Sequence, residues 1–314
     1  MTARQAEFFH RPVLPVEVVT LLAIDREGAY LDLTAGGGGH LTALAAQLGP
    51  GGRLYGIDRD PQAVAFATQL LQPFVQLKSI VCASYADVGG IVEQFEDKQF
   101  SGILLDLGVS SRQIDDPARG FSFSQDGPLD MRFGPDAEKT ASELINEIDE
   151  KRLAEIISRY VEEKHARELA RAIVRERRNN MIATTSHLAA FVTSVIRPPH
   201  QTKSLARVFQ ALRIAVNHEL DQLEEVLPSA FGLLKSSGRL AVISYHSLED
   251  RITKQFMQGI VKGICTCPRD LPVCVCGAKA TGVAVTRKPI IPTEIEMREN
   301  PRYRSAKLRV VEKL

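Results

Sequence analysis

A chain of 314 residues with 44% hydrophobic and 25% charged residues has the composition of a globular protein with a sizeable core, as one large domain or a domain carrying a smaller one. It contains no run of eighteen apolar residues, which excludes a membrane-spanning helix, and the start MTARQAEFFHRPV lacks the apolar stretch of a secretion signal, so a cytoplasmic location is expected. Net charge is only +1 but unevenly spread: residues 150–213 hold thirteen Lys/Arg against six Asp/Glu, and residues 286–314 hold eight against four. Two basic regions on a near-neutral chain fit a local surface for a polyanion, of which nucleic acid is the usual one; solvated helix faces are the alternative.

In chain order, residues 16–22 read as a short helix. A strand over residues 29–34 then runs into four glycines, Gly36 to Gly39, and a helix over about residues 40–48. Strand, glycine turn and helix in this order build the nucleotide-type ligand site of doubly wound α/β domains, because glycine lets the backbone turn sharply and approach a ligand closely. The dinucleotide spacing G-x-G-x-x-G fails, since Leu41 and Thr42 stand where the third glycine belongs, and no Lys-Ser or Lys-Thr follows to make a P-loop. The next strand, residues 53–57, ends on Asp58, twenty-two positions after Gly36. A carboxylate there is placed to accept hydrogen bonds from the two hydroxyls of a ribose. A helix-start residue is the other reading of Asp58, although Asp60 and Pro61 already look like a cap and first-turn pair. An adenosine ligand without a pyrophosphate satisfies these features, and S-adenosylmethionine is the leading candidate.

A third strand over about residues 77–83 ends near Tyr85, whose ring either lies against an adenine face or simply packs. GILLDLG at 102–108 is nearly all apolar and so reads as a central strand buried on both faces. Its one carboxylate, Asp106, stands at the carboxyl end, where a buried acid must be paired or used. The next strand of this type is RLAVISY at 239–245, about 130 residues later, where a single helix and its loops would suffice. An inserted, mostly helical, basic subdomain over residues 114–217 is therefore expected. Its helices show in the recurrence of Leu153, Ile156, Ile157 and Tyr160, and of Ala166, Leu169, Ala170, Ile173 and Val174. A helix over about residues 208–234 leads back into strand five. Beyond that strand, His246 and Glu249 face the same end of the sheet, where His246 either contacts a target base or serves the fold. Cys265, Cys267, Cys274 and Cys276 form C-x-C-x6-C-x-C; a structural zinc site is one reading, but the tighter C-x-x-C spacing is absent and reduced thiols without metal are preferred.

Longer motifs carry a specific resemblance: HRPVL at 10–14, GGGH at 37–40, GIDRDPQA at 56–63, DLGVSSRQIDDPARGFSFSQDGPLDMRF from Asp106, FQALRIAVNHEL at 209–220, SYHSLEDR at 244–251 and NPRYRSAKLR at 300–309. In this order, and from end to end, they resemble the bacterial ribosomal RNA small subunit methyltransferase H family. The resemblance implies a class I S-adenosylmethionine-dependent methyltransferase fold, a Rossmann-like doubly wound sheet. Residues 1–113 and 218–314 would form that domain, interrupted by the insert as a substrate-recognition subdomain. It also implies methylation of N4 of a cytidine in the decoding region of 16S rRNA, with the small ribosomal subunit as partner. Carried over position by position, cofactor contacts fall on Gly38, Gly39, His40, Asp58, Tyr85, Asp106 and Gln113. Tyr85 and Tyr245 stand where Phe is found in some or most members, Arg112 where Pro is frequent and Val161 where Gly is common. SLARVFQA at 204–211 lacks the Pro-Ala-Thr that often precedes that motif.

The exocyclic amine of cytosine is a poor nucleophile, so it must be held in line with the S–CH3 bond and its N–H groups must find acceptors. Asp106 is the foremost candidate, with Ser110 or Ser111 as alternative acceptors. Methylation at carbon C5 would need a cysteine nucleophile, and Cys267, well past strand five, is the only tempting one. A ribosome-assembly or RNA-binding protein without turnover would be expected to lose the glycine turn, Asp58 or Asp106, all of which are intact. The failed dinucleotide spacing disfavours an NAD-linked oxidoreductase.

Overall fold

A computed structural model of the protein describes residues 12–161, 163–263, 267 and 276–314. The chain divides into two compact units. The first comprises residues 12–108 and 220–314, the second residues 109–219, as far as they are described. Four of the cysteine-rich positions were of interest, but Cys265 and Cys274 lie outside the described residues.

The first unit is built on a seven-stranded sheet in the order β3-β2-β1-β4-β5-β7-β6. Its strands are β1 (Ala29–Asp32), β2 (Arg53–Asp58), β3 (Leu77–Cys82), β4 (Phe100–Asp106), β5 (Leu234–Ser244), β6 (Gly282–Ala284) and β7 (Lys307–Lys313). The first five run parallel, while β7 lies antiparallel between β5 and β6. This is the class I methyltransferase arrangement of a doubly wound sheet. Alternate residues of the strands feed two cores: Leu31, Ile57, Ile103 and Val242 on one face, Tyr30, Leu54, Leu104 and Ile243 on the other. Burial on both faces explains why β1 and β4 read as continuous apolar runs rather than alternating ones.

Register places Asp32 beside Gly56 and Leu104, and Asp106 beside Ile243. Three acids, Asp32, Asp58 and Asp106, thus end three adjacent parallel strands, at the edge where doubly wound sheets bind ligands.

Two sequence expectations need correction. The helix expected over residues 208–234 is two helices, Gln201–Asn217 and Glu219–Gly232, broken at His218, whose φ of 51° is left-handed. Such a residue ends a helix by turning its backbone out of the i→i−4 ladder. The basic C-terminal segment is not simply a polyanion arm: residues 307–313 form β7, with Leu308, Val310 and Val311 buried. Its Lys307 and Arg309 bond Asp250 at 3.0 and 2.7 Å, so those two charges are already matched within the fold.

The second unit has its own core, drawn from the helices Ala141–Glu147, Glu150–Val161, Ala166–Glu176, Thr185–Val195 and Gln201–Asn217. Leu153, Ile156, Ile157, Leu169, Ala170 and Ile173 are buried there, as their helical spacing predicts. No helix among the described residues is long and apolar enough to cross a membrane. Asn217, fully buried, accepts from the Phe133 N–H at 2.8 Å and donates to the carbonyls of Met131 and Arg213 at 2.7 and 2.9 Å. Replacing it by alanine strands buried backbone groups, so Asn217→Ala is expected to cost about 2–4 kcal/mol. Urea unfolding measures this, and a loss under about 1 kcal/mol would show that the amide does not anchor the 131–133 segment.

Candidate active site

The turn after β1 is shaped by hydrogen bonds that only a glycine-rich segment can reach. The Ala35 N–H donates to the Ile57 carbonyl at 2.9 Å, and the Gly36 N–H donates to Asp58 Oδ2 at 2.7 Å. Gly36 and Gly38 have φ of 50° and 82°, conformations that cost a residue with a Cβ. A Cβ on Gly38 would also sit 3.2 Å from Ala67, and one on Gly39 3.1 Å from Pro12. The helix Gly39–Ala45 follows, with His40 buried at its start.

Asp58, at the tip of β2, takes the Gly36 N–H on one oxygen and the Asp60 N–H on the other, at 2.9 Å. Burial pushes its carboxyl up from the usual range, opposed by those two backbone donors. Each oxygen keeps a second lone pair, so the group both ties β2 to the glycine turn and retains acceptor capacity. Asp60 caps the helix Pro61–Leu71 through the Gln62 N–H.

A second group of polar side chains joins β1, β4 and β5. Thr34 Oγ1 accepts the Asp106 N–H at 2.6 Å and donates to Asp32 Oδ1 at 3.2 Å, while the Thr34 N–H also reaches that oxygen at 3.0 Å. Asp32 is 1% exposed, and its Oδ2 has no hydrogen-bond partner among the described residues. Burial raises its carboxyl from 3.8 to about 6; His40 and Thr34 pull the other way, and neighbouring Asp106 adds to the rise. Asp106 accepts the Tyr245 hydroxyl on Oδ1 at 2.9 Å, and His40 Nε2 stands 3.3 Å from its Oδ2. That second contact is one of proximity, because the ring nitrogen does not meet hydrogen-bond geometry. The Tyr245 phenol is pushed well above its ordinary value, by burial first and then by the Asp106 charge, so it remains a donor. With the Asp106 side chain 21% exposed and His40 only 5%, the carboxylate is the member of this pair that faces outward.

The remaining expected residues are placed as follows. Tyr85 opens a short 3-10 turn, Tyr85–Asp87, and is half-buried against the core under β1 to β4. His246 caps the helix Ser247–Lys262: its Nδ1 accepts the Glu249 N–H at 3.4 Å, and Glu249 Oε2 accepts the N–H groups of Tyr245 and His246 at 2.8 and 3.2 Å. The fold therefore already employs His246. In the second unit, Ser110 and Gln113 form a reciprocal cap on the helix Ser111–Asp115, with Ser110 Oγ accepting the Gln113 N–H at 3.2 Å and Gln113 Oε1 the Ser110 N–H at 3.0 Å. Ser111 is the first residue of that helix.

Asp32, Thr34 and the Tyr245 hydroxyl were not singled out from the sequence. Asp32 carried the same signal that exposed Asp106, a lone acid ending an apolar strand. The Tyr245 hydroxyl carried none, because its partner is 139 residues away.

Chemically, the arrangement places two partly exposed carboxylates, Asp58 and Asp106, at neighbouring strand ends, with Asp32 buried between them. It suits a ligand carrying positive charge together with vicinal hydroxyls.

Known proteins are similar in sequence along nearly the whole chain. A family model, that of the MraW methylase family, matches residues 7–314. A protein of Heliobacterium mobile named ribosomal RNA small subunit methyltransferase H is 45% identical over 312 residues, covering 98% of this chain and 100% of that protein. Proteins of the same name from Pelobacter propionicus and Brevibacillus brevis are each 45% identical over 313 residues, covering 98% of this chain and 100% and 98% of theirs.

The raised Asp32 carboxyl has a consequence for folding that is independent of any ligand. A group held at about 6 in the fold and near 3.8 outside it contributes stability that is complete below 3.8 and lost as pH rises through about 6. Asp32→Asn removes that loss while keeping the acceptor for Thr34. The variant should therefore gain stability over the parent by about 1–1.5 kcal/mol more at pH 7.5 than at pH 5. Denaturant unfolding of the ligand-free protein at both pH values measures this, and an equal difference at the two would mean that Asp32 is not held protonated by its surroundings.

Proposed function

Because the chain belongs to the MraW methylase family, whose methyl donor is S-adenosylmethionine, we propose that it methylates N4 of a cytidine in the decoding region of 16S rRNA of the small ribosomal subunit. The observation that carries this reading is Asp106: a partly exposed carboxylate at the end of the central strand, with the Tyr245 hydroxyl bonded to one oxygen and buried His40 3.3 Å from the other. The fit of the donor rests on the partly exposed carboxylates of Asp58 and Asp106, which complement a cationic adenosine derivative, and on the glycine turn tied to Asp58. When bound, the donor supplies a methyl group activated by a sulfonium leaving group.

In this reading Asp58 accepts the ribose hydroxyls with its free lone pairs, while Gly38 and Gly39 bring the backbone close and Tyr85 flanks the base. His40 and Gln113 belong to the same binding set. Asp106 accepts an N–H of the target amine, fixing it so that the nitrogen lone pair points at the methyl carbon. With the donor bound, the amine would take its methyl group as the sulfonium leaves, and the Asp106 carboxylate or solvent would take the surplus proton on nitrogen. Ser110 and Ser111 stand as alternative acceptors, the Ser110 hydroxyl already capping a helix and Ser111 half-buried at its start. His246, whose Nδ1 caps a helix while its Nε2 has no hydrogen-bond partner among the described residues, is a further contact for the target base.

The target base has to be presented outside a stacked helix. Residues 109–219 supply a surface for its phosphates: Lys151, Arg159, Lys164 and Arg167 border an open trough along the helices Glu150–Val161 and Ala166–Glu176. Such contact is sequence-independent and salt-sensitive. The enzyme would act in the cytoplasm, on small-subunit RNA.

Incubation with labelled S-adenosylmethionine and unmethylated small-subunit particles, followed by mass-spectrometric mapping, is expected to find one N4-methylated cytidine. Label on C5, or on no nucleotide, overturns the reading. Asp106→Asn is expected to lower turnover by about 100-fold or more, and near-normal turnover would remove Asp106 from the chemistry. Binding of the RNA should weaken by about tenfold or more between roughly 50 and 200 mM salt; a flat response in a filter-binding titration counts against the basic trough.

A further inference from the structure

Asp106 is held in a way that its strand alone does not require. A carboxylate at a strand end needs one or two donors to be satisfied, and backbone or solvent can supply them. Here the Tyr245 hydroxyl, contributed by the residue just after β5, donates to Oδ1 at 2.9 Å, and the buried ring of His40, from the helix after the glycine turn, stands 3.3 Å from Oδ2. Both partners are costly to keep. Tyr245 buries a phenol beside a negative charge. His40 buries an imidazole whose Nδ1 and Nε2 both lack a hydrogen-bond partner among the described residues. An unpaired buried ring nitrogen ordinarily loses stability, and a fold indifferent to Asp106 would place an apolar residue there. The backbone of the same residue is fixed too, by its N–H to Thr34 Oγ1 at 2.6 Å.

We propose that Tyr245 and His40 are positioning residues that hold the Asp106 carboxylate from its two sides, so that its outward lone pairs have one orientation toward the target amine. Neither residue touches the substrate or passes a proton in this assignment; each acts through Asp106. His40, placed above in the donor-binding set, thereby serves the acceptor as well. The value of such a hold is entropic and geometric: an acceptor that need not reorganise when the amine arrives keeps the nitrogen lone pair aligned with the methyl carbon. Asp32 is the other charged group facing His40, and Thr34 connects its carboxylate to the Asp106 backbone. The inference rests on the proposed chemistry for its effect on turnover, but the hold itself exists whatever the substrate is.

The test uses full-length protein and two conservative variants, Tyr245→Phe and His40→Gln. With aspartate labelled at the side-chain carboxyl carbon, the Asp106 resonance is identified by its loss in Asp106→Asn. Tyr245→Phe is expected to move that resonance more than any other aspartate's, and His40→Gln to move it as well. An unmoved Asp106 resonance in Tyr245→Phe overturns the proposal, with no substrate needed. In turnover on small-subunit particles, Tyr245→Phe should lower kcat about five- to tenfold. The KM for particles and the Kd for S-adenosylmethionine should stay within about twofold, as expected for a group acting only on the geometry of reaction. An unchanged kcat, or a loss that appears only as weaker cofactor binding, also overturns it. If the unaltered enzyme leaves small-subunit particles unmethylated, the proposed substrate is wrong, and the carboxyl resonance still decides whether the hold exists.

Discussion

Three carboxylates end three neighbouring parallel strands, and the first unit is organised around keeping them there. Like charges at adjacent strand ends repel, and buried ones also lose their water. The fold answers each in a different way. Asp58 receives two backbone N–H groups, one from the glycine turn; Asp32 receives the N–H and hydroxyl of Thr34; Asp106 receives a phenol and faces an imidazole. Thr34 is the joint between two of these solutions, because its hydroxyl accepts from the backbone of β4 and donates to the acid of β1.

This explains why the glycine turn has so little freedom. Gly36 has positive φ with its N–H on Asp58, and a Cβ on Gly38, itself at positive φ, would crowd Ala67 at 3.2 Å. The turn is also the brace of one of the strand-end acids. It also delivers His40, one residue past the last glycine, to the carboxylate of a different strand. A single segment thereby links the acid suited to a ribose with the acid suited to an amine.

The second unit follows simpler rules. Its helices bury one apolar stripe each and leave their Lys and Arg outside, as on Glu150–Val161 and Ala166–Glu176. Polar burial is confined to a few well-bonded groups, such as Asn217, and Glu163 with Ser204 and Arg207. A charged exterior over an ordinary core suits contact with a phosphate backbone, which asks for cations in number more than for fixed geometry.

Much of this was legible in the residues themselves. Apolar runs ending in a lone acid marked β2 and β4, because a strand buried on both faces tolerates a carboxylate only at its end. Four glycines marked the turn, and helical spacing of Leu153, Ile156 and Ile157 marked the helices of the second unit, since both patterns are local. Tertiary structure alone decided the rest. The segment 307–313 reads as a basic tail and becomes a strand between β5 and β6, because Leu308, Val310 and Val311 find an apolar sheet edge to cover and Asp250 to pair their neighbours. The helix read across His218 breaks there because one residue adopts a left-handed backbone that its sequence does not demand. Tyr245 and His40 meet Asp106 only through the registers β4 makes with β5 and β1. The acids and the glycines were properties of the sequence; which side chain holds which acid is a property of strand order, which no local pattern encodes.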